Sequence, residues 1–151
     1  MSTTMLVAQV MKQKGYGYTG IDPEATAYDA LEIMSKKNVG ALPVLENGVL
    51  IGIFSERDYA RKVILRGKAS KTTTVRDLMS GPPITVDPST SVQQCMKLMR
   101  EFHVRHLPVI KDGVIVGVMS MRDTVNAIIS EQASTIEHLE DYISGPGRRE
   151  K

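Results

Sequence analysis

The segment Gly52-Ile53-Phe54-Ser55-Glu56-Arg57-Asp58 returns as Gly117-Val118-Met119-Ser120-Met121-Arg122-Asp123, and this recurrence limits the fold more than any other feature of the chain. Each copy ends an apolar run, Val49 to Phe54 or Val114 to Met119, and passes directly into a helix that opens on Ser with Asp three positions later. That spacing is a capping box with Asp in place of the usual Glu or Gln. One reading of Ser55 and Ser120 is therefore purely structural. The other uses the same geometry: a strand ending at a helix N-terminus presents free N–H groups and a positive dipole end, where a hydroxyl helps hold a phosphate. An Asp one turn into the helix can accept hydrogen bonds from a pair of ribose hydroxyls.

The repeat extends well upstream of these segments. Aligning Asp22 with Asp87 gives 13 identities over the 38 positions from 22 to 59, without a gap. In the first copy, Asp22-Pro23 is a turn and Thr26 caps a helix with Asp29 at its third position. Ala27, Ala30, Leu31 and Met34 form its apolar face. Val39 to Leu45 reads as a short strand in which Pro43 marks an edge or bulge. Asn47-Gly48 signals a two-residue hairpin turn. The helix opened by Ser55 is expected to run to about Arg66, with Gly67 as its cap. In the second copy Ser91 caps the helix with Gln94 completing a box, Val92, Cys95, Met96 and Met99 form the apolar face, and Asp112-Gly113 repeats the turn. The polar stretch 68–74 reads as a linker.

Ahead of each copy lies a short helical pattern, with Val75 to Met79 echoing Val7 to Met11. The first copy carries three more residues between this helix and its Asp-Pro turn. They fall in Gly15-Tyr16-Gly17-Tyr18-Thr19-Gly20, which matches G-x-G-x-x-G but follows a helical segment and opens onto Ile21-Asp22-Pro23. A dinucleotide-binding turn follows a strand and opens a helix, so the segment reads as a glycine-rich loop. At the other end, residues 122–144 hold no internal Pro or Gly. Val125, Ile129, Gln132, Ile136, Leu139 and Ile143 mark a heptad seam along a helix that projects beyond the second copy and packs on another chain or on the first copy. Residues 145–151 read as a frayed tail.

Composition excludes several classes. With 42% hydrophobic and 24% charged residues, the 151-residue chain is of ordinary globular character. It has no apolar run long enough for a membrane span. The start of the sequence does not resemble a secretory signal, and the single Cys95 agrees with a reducing compartment, so the expected location is cytoplasmic. Cys95 takes the place of Ala30 and reads as a small buried hydrophobe rather than a nucleophile.

Two copies of turn, helix, strand, hairpin, strand and helix, each closing on Gly-x-x-Ser-x-x-Asp, resemble a tandem pair of CBS domains, also called a Bateman module. The resemblance covers residues from about 5 to 130, with repeat one at 5–67 and repeat two at 75–130, and the nearest type is the small stand-alone bacterial CBS-pair protein. It implies an α/β fold of two β-α-β-β-α repeats packed sheet to sheet about a pseudo-two-fold axis. It further implies two clefts that bind adenosine-containing ligands such as AMP, ADP, ATP, NAD or S-adenosylmethionine. By the same resemblance, Asp58 and Asp123 hold ribose hydroxyls, and Ser55 and Ser120 approach phosphate, with Arg57 and Arg122 as further phosphate partners. The surroundings of Thr19, Gly20 and Ile21, of Gly40, Ala41, Leu42 and Pro43, of Thr85 and Val86, and of Arg105, His106, Leu107 and Pro108 line the adenine. Arg105-His106 stands where the first repeat has Gly40-Ala41, so the clefts are expected to be unequal. Arg105 is expected to reach the phosphate of the nucleotide anchored by Asp58, whereas Gly40 offers the other cleft no charge.

The implied function is a non-catalytic sensor, expected to act as a homodimer. No catalytic constellation is suggested by local context. His103 and His106 would point to opposite faces of a strand start, which argues against a shared metal, and His138 falls on the polar side of the last helix. Two further functions compete. Arg57, Arg61, Lys62, Arg66, Lys68 and Lys71 make one region basic, but sparse aromatic residues and a net charge of +2 speak against nucleic acid. A dimerisation scaffold with degenerate pockets is the other, and the presence of both Asp residues weakens it.

Overall fold

The structure, a computed structural model, describes residues 4–144, with the side chains of residues 134, 135, 138 and 141–144 left undescribed. The expected tail at 145–151, the polar placement of His138 and the last seam position Ile143 lie outside what is described. Each repeat shows the helix, strand, hairpin, strand and helix order that the sequence indicates. The first contains α2 (Ala27–Lys37), β1 (Ala41–Glu46), β2 (Val49–Ser55) and α3 (Glu56–Tyr59), and the second α5 (Val92–Phe102), β3 (His106–Lys111), β4 (Val114–Ser120) and α6 (Met121–Ser144). Before them come α1 (Val7–Lys14) and α4 (Val75–Leu78) respectively.

Local chemistry explains the boundaries. Thr26 Oγ1 accepts the Asp29 N–H and Asp29 returns a bond to the Thr26 N–H, a complete capping box. Ser91 Oγ accepts the Gln94 N–H, but the expected return bond, Ser91 N–H to the Gln94 side chain, is not formed, although Gln9 makes the equivalent bond at α1, its Oε1 accepting the Leu6 N–H at 2.8 Å. α2 and α5 end at equivalent left-handed residues, Asn38 and His103, both at φ 55°. His103 is thus a helix cap and not part of the strand start, which corrects the sequence reading. The hairpin turns also match: Asn47-Gly48 and Asp112-Gly113 share φ values of 52° and 80°, the positive pair that a type I′ turn requires.

β1 and β2 pair antiparallel with a register shift between Val44 and Leu45, the bulge foreseen beside Pro43. Ile21 adds a one-residue parallel bridge to Val44, donating to the Pro43 carbonyl and accepting from Leu45 N–H. β3 and β4 form the matching two-stranded sheet. The segment read as a linker is tied down at its end, where Thr74 bridges Thr26.

The helix opened by Ser55 departs from expectation. After Tyr59 it continues as a π-helix, Ala60–Ile64, and the Leu65 N–H bonds to the Ala60 carbonyl five residues back. α6, its counterpart, is α-helical throughout.

Two compact units result. One contains residues 16–85 and 108–118; its core includes Ile21, Met34, Leu42, Val44, Phe54, Val63 and Leu78. The other contains, of the described residues, 4–15, 86–107 and 119–144, with Val7, Met11, Cys95, Met99, Leu107 and Met119 buried. Each large side chain so buried contributes about 1.5 to 3 kcal/mol. The Cys95 thiol is buried, which pushes its pKa up to about 11 and makes it an inert filler. In the same unit Glu131 of α6 is buried and accepts from the Met5 N–H and the Gln93 amide, both at 2.9 Å, fastening the approach to α1 onto α5 and α6.

Candidate functional site

Both strand-to-helix junctions carry the same constellation, and each can be built within one unit. In the first, Asp58 Oδ2 accepts from the Ser55 N–H and Oγ–H, both at 3.0 Å, while Ser55 Oγ accepts the Asp58 N–H. Asp58 Oδ1 accepts from Ser80 Oγ at 3.1 Å and lies 3.3 Å from Lys62 Nζ. Lys62 also reaches the Leu78 carbonyl at 3.0 Å and Ser80 Oγ at 3.4 Å. Ser80 is held there by a backbone pair with Ile53, N–H to carbonyl in both directions at 2.9 Å.

The second junction is built alike but partnered differently. Asp123 Oδ2 accepts from the Ser120 N–H at 2.9 Å and Ser120 Oγ accepts the Asp123 N–H. The cation is Lys14 from α1, with Nζ 2.7 Å from the same Oδ2. Burial works against the charge on Asp123, but the bonds from Lys14 and Ser120 outweigh it and hold the carboxyl below the usual carboxylate range. Beside it, burial lowers the pKa of the half-buried His106 imidazole; Asp123 opposes this, and Lys14 and Arg105 add to it.

The remaining sequence-predicted residues divide. The Gly40 carbonyl accepts the Glu56 N–H at 3.0 Å and the Arg105 carbonyl accepts the Met121 N–H at 2.8 Å, so the expected Gly40/Arg105 difference does sit at equivalent places against the two helix starts. Ile21 and Pro43 meet through the bridge described above. Gly20 lies against them, where an added Cβ would stand 3.5 Å from the Pro43 carbonyl. Leu42 and Leu107 are fully buried and Ala41, Val86 and Pro108 nearly so, so their side chains are core and only their backbone is available to a ligand. Arg57, Arg122 and Thr85 are exposed, and Thr19 is half-buried.

Sequence reasoning missed Lys14, Lys62 and Ser80. One signal was available: Asp58 has Lys62 four residues on, whereas Asp123 has Ala127, so any cation at the second junction has to come from elsewhere. Among the described residues no helix is long and apolar enough to cross a membrane.

These features define a protein of two α/β repeats, and comparison with known proteins gives the family. The CBS-domain family model matches residues 7–65 and 75–130, and the chain belongs to that family. It is 42% identical over 153 residues to the mitochondrial CBS domain-containing protein CBSX3 of Arabidopsis thaliana, spanning 95% of this chain and 73% of that one. It is 32% identical to the CBS domain-containing protein YhcV of Bacillus subtilis, over 76% of this chain and 82% of that protein. Among solved structures, a signal-transduction protein with CBS domains from Burkholderia ambifaria matches with a TM-score of 0.81 and 39% identity, covering 85% of this chain and 96% of the other.

Proposed function

We propose that this CBS pair is a non-catalytic sensor that binds an adenosine-containing nucleotide (AMP, ADP, ATP or NAD) and signals by a change in conformation or assembly. The observation that carries the reading is the open oxygen of Asp123. Oδ2 is pinned by Ser120 and Lys14, while Oδ1 accepts no hydrogen bond among the described residues and is not a buried orphan, so it faces solvent. A carboxylate fixed at one oxygen and open at the other, at the start of a helix, is suited to a ribose hydroxyl with phosphate near the helix N-terminus. The role of both Asp residues in the family supports the same assignment.

Mass spectrometry of nucleotide released from the purified protein, followed by calorimetric titration with AMP, ATP and NAD, tests this. Saturable binding of at least one, abolished by Asp123→Ala with the fold intact, is expected. Absence of binding by all three would leave a dimerisation scaffold as the better reading, which the exposed apolar residues Ile129, Ile136 and Leu139 of α6 favour.

A further inference from the structure

The two anchoring carboxylates differ in what they already hold. Asp58 has both oxygens engaged, and its cation is equally committed: the three donors of the Lys62 ammonium face Asp58 Oδ1, the Leu78 carbonyl and Ser80 Oγ. Neither has anything left for a ligand without first displacing Ser80. Asp123 keeps one oxygen open. Its cation is delivered from another element. α1 has 8 residues where α4 has 4, and its last turn brings Lys14 to Asp123.

We propose that Lys14 makes the Asp123 site select for a phosphorylated nucleoside, leaving the carboxylate for the phosphate as the ribose hydroxyls replace it. The inference rests on nucleotide binding at Asp123 and adds to it the residue that reads the phosphate. Three features support it. The Lys14 and Asp123 side chains keep 41% and 19% of their exposure, and a partly solvated pair of this kind is weakly held and easily exchanged. A lysine ammonium is a compact charge on a flexible four-carbon stem, able to turn from one anion to another. The local charge also fits: Lys14 and Arg105 both act on His106, so two cations, one carboxylate and an imidazole disfavoured from protonation leave an excess of positive charge for an anionic ligand.

The test is calorimetric titration of AMP and of adenosine against wild type, Lys14→Met and Lys14→Arg, with thermal melts of each to confirm the fold. Wild type is expected to prefer AMP. Lys14→Met should weaken AMP at least tenfold, about 1.4 kcal/mol, and leave adenosine within about twofold of wild type, whereas Lys14→Arg should retain the preference. An equal loss for both ligands, which would make Lys14 a support for Asp123 only, overturns the proposal, as does undiminished AMP binding. Wild type that binds neither ligand overturns the nucleotide reading itself, an outcome distinct from the other two.

Discussion

Ser80 Oγ donates to Asp58 Oδ1 at 3.1 Å, and among the described residues nothing in the second junction corresponds to it; there the equivalent carboxylate meets Lys14. The two Asp residues that look interchangeable in the sequence therefore do different work. Asp58 joins α3 to the segment after α4, and Asp123 stands open. Alanine substitution should separate them. Asp58→Ala removes the acceptor for Ser55, Ser80 and Lys62 together, at a cost of about 1.5 to 3 kcal/mol for bonds to a charged group. In a domain of this size that lowers Tm by roughly 2 to 4 °C per kcal/mol. Asp123→Ala loses a cap worth about 1 kcal/mol and a solvated ion pair worth less, so its melt should lie closer to wild type while nucleotide binding falls more. Equal melting temperatures for the two variants would show that the Ser80 clasp contributes nothing.

The close approach of the same segment to β2 makes Gly52 a second point of test. A Cβ there would stand 2.6 Å from Met79 Sδ and 2.9 Å from the Ser80 carbonyl. The sulfur can move, but the carbonyl is held by Ile53, so Gly52→Ala should push the Met79–Gly81 strip off the sheet. We expect a loss of about 1 to 3 kcal/mol, the range for overpacking, and faster proteolysis around residues 79–82. A melt within about 0.5 kcal/mol of wild type, the range of inert surface changes, would contradict this.

Most contacts local in sequence were legible beforehand, Lys62 four residues after Asp58 being an exception, and distant ones were not. Thr26 with Asp29, Asn47-Gly48 and Asp112-Gly113 declare caps and turns through residues three or fewer apart, where backbone geometry leaves few alternatives. The recurrence of Ser-x-x-Asp likewise placed both anchoring carboxylates. Lys14 with Asp123, Ser80 with Asp58 and Glu131 with Met5 are separated by 109, 22 and 126 positions, and no periodicity encodes such pairs. The π-helix after Tyr59 escaped for a different reason: Ala60 to Ile64 has unremarkable helical propensity, and nothing in those residues marks a five-residue bond spacing.

His106 should make stability depend on pH near neutrality. The groups acting on it are Asp123 from α6, Lys14 from α1 and the adjacent Arg105, and burial is the largest cause of its lowered pKa. An imidazole lowered on folding is protonated in the unfolded chain before it is protonated in the folded one. Below about pH 6.5 the unfolded state therefore binds more protons. The contribution is fully present above that pH and is lost as pH falls through the folded value. Between about pH 7 and pH 5.5 the melting temperature of wild type should fall more steeply than that of His106→Gln. Parallel curves would place His106 outside any titration that matters to folding.

The helix α6 argues for self-association. Its inward flank is closed, with Thr124 at 0%, Ala127 at 6% and Glu131 at 7% exposure. The neighbouring flank is not: Val125, Ile129, Ile136 and Leu139 stand 37%, 58%, 57% and 56% exposed, at the heptad spacing that two helices need to interlock. Burying each of these side chains fully against a second copy is worth about 1.5 to 3 kcal/mol, while leaving the stripe in water invites association in any case. Ile136→Lys combined with Leu139→Lys should therefore shift the mass seen by light scattering from dimer towards monomer. The wild-type melting temperature should also rise with protein concentration, because a dimer is stabilised by mass action, and that dependence should vanish in the double variant. A wild-type mass equal to one chain, with a melt independent of concentration, would show that the stripe serves something other than a second copy of this protein.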